Sequence, residues 1–145
     1  MVRKVTSDDL PALSELFDAY RVFYEKDSDV TAAASFLNER INKGDSVIFV
    51  FEENGELTGF TQLYPLFSST RMKPLWLLND LYVKPKHRGK GHSIALIDAA
   101  KKLAIDTGAA GLMLETAKSN DVGNQLYPKT GFVCEWTFTI KLFHS

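Results

Sequence analysis

One cysteine, Cys134, stands in a chain of 145 residues. An internal disulfide is therefore excluded, and so is a multi-cysteine metal site. This fits a reducing compartment. Excess positive charge is also lacking: 17 Lys and Arg face 18 Asp and Glu, for a net charge of -1. That balance argues against a grip on nucleic acid dominated by phosphate neutralisation. A local basic patch does exist at Lys84–Lys90. No apolar run approaches the roughly 18 residues of a membrane span. Met1–Leu10 is charged and does not read as a secretory signal. Repeats and low-complexity tracts are missing as well. What remains is 45% hydrophobic, enough to bury a sizeable core in one domain spanning residues 1–145. The expectation is a soluble, cytoplasmic protein without membrane or nucleic-acid partners.

Regular punctuation divides the chain into elements. Val2–Val5 alternates as a short strand. Ser7 offers a helix N-cap, Asp8 and Asp9 suit the positive end of the dipole, and Pro11 fits a first turn. Leu10, Leu13, Leu16, Phe17 and Tyr20 follow at helical spacing. After the acidic break Glu25–Asp29, Thr31 is placed to cap a second helix that stops at Gly44. Ser46–Glu52 reads as a strand, Asn54-Gly55 as a type I′ hairpin turn and Leu57–Tyr64 as the returning strand. Pro65–Pro74 reads as a loop and Leu75–Val83 as a longer strand. A glycine-bearing loop follows, then a helix around Ile94–Ala104, a strand at Leu112–Thr116, a short helix at Asp121–Lys129, and a final strand at Phe132–Phe143. The strand–loop–helix–strand unit at residues 75–116 is a crossover, so its two strands are expected to be parallel. The fold class is α/β: a mixed, mostly antiparallel sheet flanked by helices. Its natural ligand crevice lies beyond the C-terminal end of the crossover strand.

The loop at that strand end is Lys84-Pro85-Lys86-His87-Arg88-Gly89-Lys90-Gly91-His92-Ser93. Its glycines let backbone N–H groups face an anion without a Cβ in the way. The following helix adds free N–H groups and a partial positive charge. Together they form a cradle for a phosphate or pyrophosphate, and Lys86, Arg88 and Lys90 add mobile positive charge. A P-loop spacing fails here. A dinucleotide fingerprint fails too, because Ile94 stands where its third glycine belongs. A plain surface turn with solvated basic residues is the competing reading.

The stretch Leu81–Gly91 resembles the coenzyme A signature of the GCN5-related N-acetyltransferase family, Gln/Arg-x-x-Gly-x-Gly/Ala behind a strand ending Val-x-Pro. A second stretch, Asn120–Phe132, resembles the family's later Asn…Leu-Tyr-x-x-x-Gly-Phe motif. The element order matches over nearly the whole chain. Lys86 departs from the Gln/Arg position, His92-Ser93 from Ile-Gly, and Gly123 from Ala. The resemblance implies the acyl-coenzyme A N-acyltransferase fold, with a splayed pair of parallel strands, and acetyl-coenzyme A as co-substrate without a metal. It implies that backbone N–H groups of Arg88, Gly89, Lys90, Gly91, His92 and Ser93 hold the pyrophosphate. Leu81 and Val83 would pair with the pantetheine arm like an added strand. An N–H near Leu81 or Tyr82 would polarise the acetyl carbonyl. Tyr127 matches the general acid for the departing thiolate, being protonated at neutral pH; its other reading is a core tyrosine. Asn120 matches a pantetheine contact or simply caps a helix, and Lys129 reaches the nucleotide phosphates or is solvated.

Asp80 and Glu115 are the candidate bases for the amine, and Asp80 also reads as a structural carboxylate. His87 and His92 receive no catalytic role, and Cys134 reads as a small core residue. The family places the inter-helix segment over the acceptor. The carboxylates Glu25, Asp27 and Asp29 there, with Tyr24 as a further substrate contact, would favour a small cationic amine, unless the segment is only a solvated loop. Tyr20, Tyr24, Tyr64 and Trp76 line an apolar wall or belong to the core. Two other functions stand beside direct transfer to a small amine. One is acetylation of a protein lysine or N-terminus, and the other is a non-catalytic acyl-coenzyme A sensor. A homodimer is the expected assembly.

Overall fold

Alternating apolar residues make β2 (Val47–Glu53) a strand with Ile48 and Val50 turned into the core. It ends at Asn54 and Gly55, whose φ angles of 51° and 78° are the paired positive values that a type I′ turn demands. The chain then returns as β3 (Glu56–Ser68). The computed structural model describes residues 1–115, 133–134 and 140–144. It forms two compact units. The first comprises Met1–Gln62 and Asp80–Leu96, the second Leu63–Asn79 and Ile97–Ser145.

In the first unit, β1 (Val2–Lys4) pairs antiparallel with β2, Val2 opposite Phe51. Helix α1 (Leu10–Phe23) is entered through a 3-10 turn, Ser7–Asp9, so Thr6 takes the cap position expected of Ser7. The reason is Asp9, whose carboxylate accepts the Thr6 N–H at 2.7 Å and receives two bonds of 2.8 Å from the Arg3 guanidinium. Helix α2 (Val30–Lys43) is capped by Asp29 rather than Thr31, its Oδ1 accepting from the Ala32 N–H at 3.0 Å. Gly44, at φ 62°, closes it. Leu13, Leu16 and Phe17 of α1 meet Ala33 and Leu37 of α2 over Ile48, Val50, Leu57 and Phe60.

Gly59 sits in the middle of β3 for a steric reason. A Cβ there would stand 2.8 Å from the Tyr82 carbonyl oxygen and 3.0 Å from Val83 Cγ2. Only glycine lets this backbone come so near.

In the second unit, β3 runs on to Ser68 and β4 (Lys73–Val83) begins five residues later. The expected loop Pro65–Pro74 is therefore a turn at Ser69–Met72 between two long strands. Both prolines lie within strands; the Pro74 carbonyl accepts from the Ala110 N–H at 2.7 Å. Helix α3 (His92–Asp106) leads to β5 (Gly111–Glu115). As the crossover requires, β5 pairs parallel with β4, Trp76–Leu78 lying opposite Leu112–Leu114. Strand β4 continues five residues past that ladder. The expected final strand divides into β6 (Val133–Cys134) and β7 (Ile140–His144), antiparallel to each other. No Gly, Pro or Asn between Val133 and Phe143 marks a break in the pattern.

Hydrogen-bonded order is β1-β2-β3-β4 in the first unit and β3-β4-β5-β7-β6 in the second. Among the described residues the sheet is mixed and mostly antiparallel, with a parallel pair, β4 with β5, and helices flank it. Among the described residues no helix is long and apolar enough to cross a membrane.

Candidate active site

Three features of the first unit converge at the end of β4: a buried carboxylate, an aromatic wall and the glycine-bearing loop. Asp80 and Tyr82 share one face of β4 by strand parity. Asp80 is 6% exposed. Its Oδ2 accepts from the Gln62 amide at 2.9 Å, and the Gln62 Oε1 accepts in turn from the Ser46 hydroxyl. The Asp80 carbonyl accepts from Thr61 Oγ1 at 2.8 Å. A burial of this kind is stable because the polar atoms are partnered. Gln62 and Thr61 are both buried on β3 and were not signalled by any sequence motif.

Tyr24, half exposed at the end of α1, feels this carboxylate. Its phenol is held above the ordinary range, by burial first and by the negative charge of Asp80 second. Tyr24 packs edge-on to Tyr20 at 5.2 Å, and Tyr20 to Tyr82 at 5.9 Å. Tyr20 and Tyr24 thus belong to a wall beside Asp80. Trp76 does not: it lies in the second unit, its indole N–H donating to Thr107.

The acidic inter-helix segment separates into two roles. Asp29 is a helix cap. Glu25 and Asp27 are exposed, and Glu25 turns the chain at φ 62°. The organiser is Asp18, which the sequence reading passed over. It is buried, and accepts from Ser28 Oγ and from the Asp29 N–H, both at 2.7 Å. Those bonds hold its carboxyl below the ordinary range.

Loop geometry supports an anion cradle. Lys84–Gly91 opens with a 3-10 turn, Pro85–His87. Gly89 and Gly91 both adopt positive φ, 79° and 83°, with open space where a Cβ would stand. Their role is conformational: they turn the chain into α3. The N–H groups of His92, Ser93 and Ile94 then lack a carbonyl one turn earlier.

The positive charge of this loop is less mobile than expected. Lys84 and Lys86 stand 3.0 and 3.5 Å from Glu56, whose carboxyl is held down to about 2, chiefly by the hydrogen bond from Lys84. Arg88 donates from Nε to the Val83 carbonyl at 3.0 Å. Its guanidinium lies 5.6 Å from the ring centres of both Phe23 and Tyr82. Lys90 is exposed, with Nζ 3.4 Å from His87 Nδ1. The side chain of His92 lies on the hairpin side of the loop, its ring 5.9 Å from that of His87. It stacks on Phe51 at 3.8 Å and meets Thr58 Oγ1 at 2.9 Å. Burial, foremost, pushes its imidazole below the ordinary range. Only its backbone N–H remains for an anion.

Leu81 is half-buried, and Tyr82 and Val83 are buried. Glu115 ends β5 in the second unit opposite Ile140, and its side chain lies outside those described. Asn120, Tyr127 and Lys129 also lie outside the described residues. The structure brings together Asp80, Tyr24, Tyr82 and the loop.

The family model for the acetyltransferase (GNAT) family matches residues 10–132. An uncharacterised N-acetyltransferase of Bacillus subtilis strain 168, YhfO, is 44% identical over 131 residues, covering 90% of this chain and 88% of its own. A crystal structure described as "a probable acetyltransferase" superimposes with a TM-score of 0.89 at 34% identity, covering 96% of this chain and 93% of that one. An aminoglycoside acetyltransferase from an uncultured soil metagenomic sample, crystallised with trehalose, gives 0.80 at 20% identity, covering 96% and 95%; that likeness is one of fold. The family uses acetyl-coenzyme A as its co-substrate. The crossover strand, its glycine-bearing loop and these matches agree, and the chain belongs to the acetyltransferase (GNAT) family as an N-acetyltransferase.

Proposed function

We propose that the protein moves the acetyl group of acetyl-coenzyme A directly to a primary amine of a small cationic molecule. The observation that carries this reading is Asp80: a buried carboxylate on β4, four residues before the loop, with Tyr24 beside it. In the proposed reaction the amine nitrogen attacks the acetyl carbonyl carbon. A C–N bond forms and the C–S bond breaks. Asp80 takes the amine's proton, directly or through a water, and the Tyr127 phenol protonates the departing thiolate. The loop from Arg88 to Ser93 holds the pyrophosphate through backbone N–H groups. Leu81 and Val83 pair with the pantetheine arm, with Asn120 and Lys129 as further contacts. No metal takes part in the transfer. The exposed carboxylates Glu25 and Asp27 support a cationic acceptor, because a negative rim raises the local concentration of such amines. Glu115 is kept as a second acceptor-side carboxylate.

The same reading takes the protein as a cytoplasmic homodimer. A single Cys supports the compartment, and the apolar strand β7, Ile140–His144, supports the dimer. Sedimentation at micromolar concentration gives twice the chain mass if so; a monomer sinks the assembly.

A thiol-release assay tests the function, with acetyl-coenzyme A and a panel of polyamines, amino sugars, amino acids and lysine peptides. Release is expected with a small cationic amine and not with peptides. Release only with peptides would overturn the acceptor class. Tyr127→Phe is expected to slow turnover while cofactor affinity survives.

A further inference from the structure

Behind the loop, on the side of the β2–β3 hairpin, three ligand-type side chains converge. Glu53 Oε2 lies 3.5 Å from His87 Nδ1 and 3.6 Å from His92 Nε2. One ligand atom from each residue lies within 4.8 Å of the others. Both contacts are too long for hydrogen bonds, and Glu53 Oε2 is buried with no hydrogen-bond partner. A buried carboxylate oxygen left this way is costly unless a cation or proton meets it.

Each imidazole has a polar neighbour at its outer nitrogen. Thr58 Oγ1 lies 2.9 Å from His92 Nδ1, while His92 Nε2 faces Glu53. His87 Nε2 lies 3.4 Å from Glu56 Oε2 and, like Glu53 Oε2, is buried without a hydrogen-bond partner; its Nδ1 faces Glu53. Metal-bound histidines characteristically give their second nitrogen to a carboxylate or other polar partner, which sets the tautomer.

Two of the three separations have the length expected around a metal. Zinc binds nitrogen and carboxylate oxygen at about 2.0–2.2 Å, so the edges of its tetrahedron measure about 3.3–3.6 Å. The two Glu53–His distances are of that length. A cation placed among the three would partner the orphaned oxygen. Two imidazoles and one carboxylate suit zinc and its transition-metal neighbours rather than calcium or magnesium.

We propose that Glu53, His87 and His92 bind a divalent transition-metal ion of the zinc type, pinning the glycine-bearing loop to the β2–β3 hairpin. This structural site is separate from the acetyl transfer, and it stands whether or not that reading holds. Lys90, whose ammonium lies 3.4 Å from His87 Nδ1, is the competing cation; it is exposed and leaves when the metal enters.

The test is equilibrium dialysis of the full chain against zinc, with cobalt as a spectroscopic probe. One equivalent of zinc is expected, together with the visible absorption of tetrahedral cobalt. Glu53→Gln and His87→Ala should each weaken uptake at least about tenfold, with circular dichroism reporting that each is folded. Zinc should raise the unfolding temperature of the parent chain and not of the variants. No uptake by folded parent protein overturns the proposal. So does one-equivalent uptake that survives in both variants, since other residues would then hold the metal.

Discussion

Asp80 can be changed in charge at constant volume. Asp80→Asn keeps a partner for the Gln62 amide, so the fold should survive, while a base is lost; kcat is expected to fall about 100-fold or more, read by thiol release at saturating amine. Arg3 and Asp9 give a second residue-scale prediction. The guanidinium hydrogen-bonded to Asp9 lowers its carboxyl to about 2 from an ordinary value of 3.8. A carboxyl depressed in the folded state stabilises it fully above 3.8, and that support is lost as pH falls towards 2. Arg3→Ala should therefore lower the unfolding temperature at neutral pH, and the gap to the parent chain should narrow between pH 4 and pH 2. Not every pairing of this kind was legible in sequence. Asp9 was read as a dipole residue, because nothing in the string shows that β1 brings Arg3 beside it. Asp18 and Gln62 were passed over for the same reason: their partners lie 10 or more positions away.

Elements were legible wherever a local signal sufficed. The paired positive φ at Asn54 and Gly55 and the αL closure at Gly44 follow from local chemistry. The parallel pairing of β4 with β5 follows from the crossover. The errors came where a tertiary contact overrode a local cue. Pro65 and Pro74 suggested a loop and lie in strands, and an aromatic run that reads as one strand is two. Gly59 had no turn to explain it; the explanation is the Tyr82 carbonyl 2.8 Å from its absent Cβ. Gly59→Ala should destabilise the fold by about 1–3 kcal/mol, measured by urea unfolding. Gly91→Ala meets no atom and differs in kind. Its strain is that of an alanine at φ 83°, about 1–2 kcal/mol. Because that glycine turns the chain into α3, the variant should weaken acetyl-coenzyme A binding more than it weakens the fold, by titration calorimetry.

For the whole molecule, the family and its glycine-bearing loop were legible and the aromatic wall beside Asp80 was not. Two glycines at fixed spacing mark the loop; the wall beside Asp80 is assembled from Tyr20, Tyr24 and Tyr82, which no motif joins. Acetyl-coenzyme A that binds only the folded chain should raise its stability by about 2.7 kcal/mol at a concentration 100 times its Kd, read as a shift in unfolding temperature. Arg88 then carries a consequence for the order of events. One guanidinium belongs to the donor loop through the Val83 carbonyl and to the end of α1 through the Phe23 ring. The inter-helix segment, proposed to meet the amine, starts at the next residues along. A ligand that repositions Arg88 on one side alters the free energy of the other, and such a coupling is reciprocal: acetyl-coenzyme A must change the affinity for amine by the same factor as amine changes that for acetyl-coenzyme A. Phe23→Leu should bring that factor closer to one, leaving each ligand to bind as though the other were absent.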